Sequence, residues 1–148
     1  MNQQLEEQFE AIDNYWKAED RIYDRVSKKL GITKPSLFIF LFLLRKKENI
    51  TQNQIIDYWL YPKQTVSFTL HRRMMDGRIE SNFVNGSKKA KGIFLTQKGK
   101  TYCNEKILPI MEAEDKAFSS LSEEERKAFV EITKKHVALL REYMDKIK

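Results

Sequence analysis

The chain has 148 residues, 41% of them hydrophobic and 32% charged, which fits one water-soluble globular domain with a real core. Five glycines and three prolines are too few for a turn-rich all-β fold, and the longest apolar run, Leu37 to Leu44, is far short of the ~20 residues that span a bilayer. The net charge of +6 is unevenly placed: residues 61–100 hold nine basic side chains against Asp76 and Glu80, an excess of seven, so the rest of the chain is negative by one. A positive segment of this kind is either a solvated face or a surface for a polyanion.

The first segment places Leu5, Phe9, Ile12, Trp16, Tyr23, Val26 and Leu30 at spacings of four and three, with Glu19 the one interruption. This predicts a long amphipathic helix stopped by Gly31. Thr33 caps a second helix with Pro35 in its first turn and Leu37 to Leu44 buried within it. Thr51-Gln52-Asn53-Gln54 reads as a capping box opening a short helix through Ile55, Ile56 and Trp59, which stops before Pro62. The next helix shows Val66, Leu70 and Met74 at i, i+4 and i+8 and ends at Asp76-Gly77. Two helices of about ten and fourteen residues across so tight a connection form a helix-turn-helix.

Two extended pieces follow, Ile79 to Val84 and Lys91 to Leu95, joined by an Asn85-Gly86 turn signal. Thr96 caps a helix expected to bend near Pro109. Ser122-Glu123-Glu124-Glu125 is a second capping box, opening a last helix with apolar positions Phe129, Ile132, Leu139, Tyr143 and Ile147. The fold class is therefore mainly α with a small β-hairpin wing. A winged helix-turn-helix core, residues 33–96, is flanked by helical regions at 1–30 and 97–148. The small core cannot cover apolar stripes at both ends, so a two-fold copy of the same chain is expected against them.

A helix-turn-helix offers the outer face of its second helix to the major groove. With Val66, Leu70 and Met74 inward, the residues left outward are Lys63, Gln64, Ser67, Phe68, His71 and Arg72, with Thr65 beside them at the helix start. Gln64 suits adenine, Ser67 any base and Phe68 a thymine methyl, while Lys63, His71 and Arg72 suit phosphate or guanine. In the hairpin, Ser87, Lys88, Lys89 and Lys91 gather three positive charges around a glycine turn with no acid nearby, a tip suited to phosphates or the minor groove.

The run from Thr51 through Thr96 resembles the MarR family of winged helix-turn-helix transcriptional regulators. The resemblance lies in the Thr-Gln start, the Pro62-Lys63-Gln64-Thr65-Val66 opening of the recognition helix, Gly77 before the wing and the Ala90-Lys91-Gly92-Ile93-Phe94-Leu95-Thr96-x-Lys98-Gly99 exit. The order of flanking helices matches as well. The resemblance implies a homodimer built from both terminal regions on a pseudo-palindromic operator in double-stranded DNA, usually as a repressor and often released by a small aromatic effector or an oxidant. Two departures stand out. Ser87 and Lys89 occupy wing positions where the family carries an Asp-x-Arg pattern, and lysine is the poorer planar donor. Arg73 and Met74 stand where Leu-Glu is usual, and Arg73 is read as reaching out from the core edge.

Other residues are less informative. Cys103, the single cysteine, excludes an intrachain disulfide or a cysteine-rich zinc site, and its placement fits a small buried hydrophobe better than a redox sensor. His71 and His136 lack metal-ligand or triad spacing, and His136 falls on the apolar stripe of the last helix. Tyr15, Trp16, Tyr23, Phe38, Phe42 and Trp59 suit either core packing or the lining of an effector pocket. The amino-terminal sequence shows no secretory pattern, so a cytoplasmic location is expected, with no cofactor, no membrane partner and no enzyme activity. The alternative reading is a winged-helix protein–protein interaction module whose basic segment docks an acidic protein surface.

Overall fold

In the computed structural model, residues 2–46, 50–59, 61–83 and 91–148 are described. The chain divides into two compact units, Met1–Pro109 and Ile110–Lys148. Helix α1 (Gln3–Leu30) begins with the Asn2 side chain accepting from the Gln4 amide and ends at Gly31, whose φ of 65° lies in the left-handed region that glycine enters at little cost. Only the second half of α1 packs on the core. Leu5, Phe9, Ile12 and Trp16 are exposed, whereas Tyr23, Val26 and Leu30 are half-buried.

Helix α2 (Lys34–Lys46) is the centre of the first unit. Leu37, Ile39, Phe40, Leu41, Phe42 and Leu43 are all buried, as the uninterrupted apolar run requires. Each such side chain contributes about 2 kcal/mol through burial, so this helix is the largest source of apolar stabilisation in the unit. Around it lie Ile50, Ile55, Val66, Leu70, Ile79, Ile93, Cys103 and Ile107, one or two from nearly every neighbouring element. Phe40 meets Tyr102 and Phe42 meets Tyr58 at ring-centroid distances of 5.2 and 4.6 Å.

A two-residue strand, β1 (Ile50–Thr51), precedes α3 (Gln52–Trp59), and α4 (Lys63–Met75) follows across Pro62. The reciprocal bonds of the predicted capping box are present: the Gln54 amide donates to Thr51 Oγ1 at 3.2 Å and the Thr51 amide to Gln54 Oε1 at 2.9 Å. Strands β2 (Ile79–Phe83) and β3 (Lys91–Leu95) pair antiparallel from Ile79↔Leu95 to Phe83↔Lys91. The sheet is wider than the expected hairpin. β1 adds to the free edge of β3 through Ile50↔Ile93 and Thr51↔Gly92, giving the order β1-β3-β2. Two residues are too few to show alternation in sequence, so only the long-range pairing reveals this strand.

Helix α5 (Gln97–Tyr102) opens on Thr96, whose hydroxyl accepts from the Gly99 amide. It runs on through a π turn, Cys103–Ile107, into α6 (Leu108–Ser119). A π turn occupies the place just ahead of Pro109 where the sequence predicts a bend: the Leu108 amide reaches back five residues to the Cys103 carbonyl. In the second unit, α7 (Glu123–Met144) starts with the predicted capping box, Ser122 and Glu125 bonding each other's backbone amides at 3.1 and 2.7 Å. Arg126 ties this start to the end of α6 by donating to the carbonyls of Ser119 and Leu121. Among the described residues, no helix is long and apolar enough to cross a membrane.

Candidate nucleic-acid interface

Helix α4 is anchored by Val66, Thr69 and Leu70, all buried. Thr69 takes a core place that apolar periodicity did not assign to it. Its hydroxyl donates to the Thr65 carbonyl at 2.7 Å, which satisfies the polar atom within the helix and lets the methyl face the core. Met74, expected inward, is only half-buried. This anchoring turns Lys63, Gln64, Ser67, Phe68, His71 and Arg72 outward, all six exposed, with Thr65 half-buried behind them. No acidic residue occurs in α4, and Lys63 at its start and Arg72 near its end leave this face with positive charge only.

The start of the helix is also uncapped by side chains. Pro62 occupies the cap position and offers no side-chain acceptor, so the first-turn amides are unpaired by a capping side chain. Phe68, 64% exposed on a polar face, has no packing reason to be there, and the Arg72 guanidinium lies 5.8 Å from its ring centre. At the root of the wing, exposed Lys91 stands 5.5 Å from the centre of the Phe83 ring. Ser87, Lys88 and Lys89 lie outside the described residues.

Three of the basic residues in the positive segment, Arg73, Arg78 and Lys98, are committed elsewhere. Asp76, at the end of α4, holds Arg73 at 3.2 Å and Arg78 at 3.7 Å, and both guanidinium groups are largely covered. The Arg78 guanidinium also lies 3.9 Å from the centre of the Tyr102 ring. Lys98 donates to the Asp76 carbonyl at 2.6 Å, Thr96 Oγ1 to the Gly77 carbonyl at 2.5 Å and the Thr96 amide to the Arg78 carbonyl at 3.1 Å. Gly99 closes the cluster: a Cβ there would stand 1.9 Å from the Arg78 carbonyl oxygen. The turn after α4 is thereby fastened to the start of α5. The sequence signal was an acid flanked at i−3 and i+2 by arginines, which charge counting alone treated as free cations.

Cys103 is fully buried, and burial pushes its thiol up to about 12. Burial likewise raises the Tyr102 phenol, with Arg78 opposing. A thiol so placed is a poor nucleophile and a poor redox contact. His136 is exposed on α7.

No protein-family model matches the chain, and no curated protein does. Solved structures match its fold closely at low sequence identity. NMB1585, a MarR family regulator from Neisseria meningitidis, superposes with a TM-score of 0.74 at 20% identity, covering 95% of this chain and 99% of that one. The transcription regulator MarR from Oenococcus oeni PSU-1 gives 0.67 at 18% identity, over 90% and 98%. The MepR–DNA complex of S. aureus gives 0.66 at 24% identity, over 90% and 94%. The chain has the winged-helix fold of MarR family regulators.

Proposed function

We propose that the chain is a DNA-binding transcriptional regulator that acts as a homodimer on a pseudo-palindromic operator and represses until a small aromatic effector releases it. The observation that carries this is the outward face of α4: six exposed polar, basic or aromatic side chains and no acid, on a helix anchored by Val66, Thr69 and Leu70. Gln64, Ser67, Phe68 and His71 would read base edges, each good contact contributing on the order of 1–3 kcal/mol of discrimination. Lys63, Arg72, Lys91 and the wing residues Ser87, Lys88 and Lys89 would meet phosphates or the minor groove. The likeness to a fold whose S. aureus example is a DNA complex supports the same reading.

The second copy is supported by the apolar side chains left open on α1 and α7, which include Leu5, Phe9, Phe129, Ile132 and Leu139. No reaction is assigned: the protein acts by binding. The test is retention of sheared genomic DNA by the purified chain at physiological salt, followed by sequencing. Enrichment of one inverted repeat is the expected result. Retention of no fragment would overturn the reading in favour of a winged helix that docks a protein, and uniform retention of all fragments would overturn the specific operator.

A further inference from the structure

Between α1, α2 and α3 lies an open cavity of about 350 Å³ lined by Trp16, Glu19, Asp20, Tyr23, Phe38 and Trp59. Four of these are aromatic and two are acidic. Three of the rings form one wall, with Tyr23 and Phe38 centroids 5.0 Å apart and Phe38 stacked on Trp59 at 4.7 Å. The Trp59 indole N–H is buried without an acceptor among the described residues. Tyr15 and Phe42, grouped with these aromatics by sequence, do not line the cavity: Tyr15 is exposed and Phe42 belongs to the core.

The charge around the cavity is what decides its ligand. Lys34 is shared between Asp20, at 2.8 Å, and Asp24, at 3.0 Å, so its one positive charge serves two carboxylates. Glu19 has no ion pair among the described residues and adds a third negative charge. Aromatic faces attract cations through the ring quadrupole, and a net negative rim adds to that attraction. An aromatic carboxylate would meet repulsion from both. Glu19 interrupts the apolar stripe of α1 because that position faces a cavity and not the core.

We infer that this cavity binds an organic cation with an aromatic body, of the benzyltrimethylammonium kind. The inference assigns a chemical class to the effector in the function proposed above, and its test uses no DNA, so the two fail separately. Both tryptophans of the chain, Trp16 and Trp59, line the cavity, and their fluorescence reports its occupancy. Titration with benzyltrimethylammonium is expected to give a saturable change. Phenylacetate and the neutral N,N-dimethylbenzamide should bind at least about fivefold more weakly, and Glu19→Gln should weaken the cation about fivefold, as loss of roughly 1 kcal/mol dictates. Glu19 is exposed and has no ion pair among the described residues, so this variant keeps the fold. A non-saturable response to the cation, equal affinity for the neutral amide, or unchanged cation affinity in Glu19→Gln would each overturn the inference.

Discussion

The two units of the chain handle apolar side chains in opposite ways. In Met1–Pro109 the apolar run of α2 is covered on nearly every side by α4, the π turn, α1 and α3. In Ile110–Lys148 no residue is buried, although α7 carries Phe129, Val130, Ile132, Val137, Leu139, Leu140, Tyr143 and Met144, each 41–67% exposed. A core element is thus complete within one chain, whereas α7 is capped and ion-paired but carries an exposed apolar stripe. Lys127–Glu123 and Lys146–Glu142 pairs and the capping box sustain the helix locally, each contributing only tenths of a kcal/mol to about 1 kcal/mol. Helix formation and helix burial are therefore separate problems, solved here by different residues.

The strongest way to break this contrast is to charge the open stripe. Ile132→Glu with Leu139→Glu should loosen the proposed dimer at least about 100-fold, since burying unpaired carboxylates costs several kcal/mol. Sedimentation equilibrium would show it, and an unchanged association state would mean that the stripe is not the contact. Within the packed unit the expected effects are on folding. Gly99→Ala drives a Cβ into the Arg78 carbonyl. It should cost about 3 kcal/mol and lower the melting temperature by about 8 °C in a circular-dichroism melt.

Asp76→Ala leaves Arg73 and Arg78 without their carboxylate and should cost about 2 kcal/mol in urea unfolding. The last effect appears only above pH 9. Folding raises the Cys103 thiol from 9.0 to about 12, so between those values the unfolded chain loses a proton that the folded chain keeps. This contribution is whole below pH 9 and falls as pH rises towards 12. The urea midpoint of the wild type should fall more steeply from pH 9 to 11 than that of Cys103→Ala, and parallel slopes would count against a buried thiol.

Much of the helical framework was legible because its signals are local. Thr51 with Gln54, Ser122 with Glu125 and Gly31 each act within four residues, and the structure has every one of those caps. The outward face of α4 followed from helical spacing once Val66 and Leu70 were placed inward. What escaped depends on partners distant in sequence. β1 exists only through its pairing with β3, the Asp76 cluster joins the end of α4 to Thr96 and Lys98, and the cavity needs three helices to enclose it. Thr69 escaped for another reason: its internal bond to Thr65 lets a polar residue occupy an apolar place.

The fastening of Thr96 and Lys98 to the turn at Asp76, Gly77 and Arg78 has a consequence for how such a chain tolerates change. The strands on either side of residues 84–90 leave and return at points held by their own bonds. A change in the number of residues between the strands then need not disturb the seating of α4. Insertions and deletions should therefore accumulate there, giving descendants of this scaffold reach of different lengths on an unaltered base.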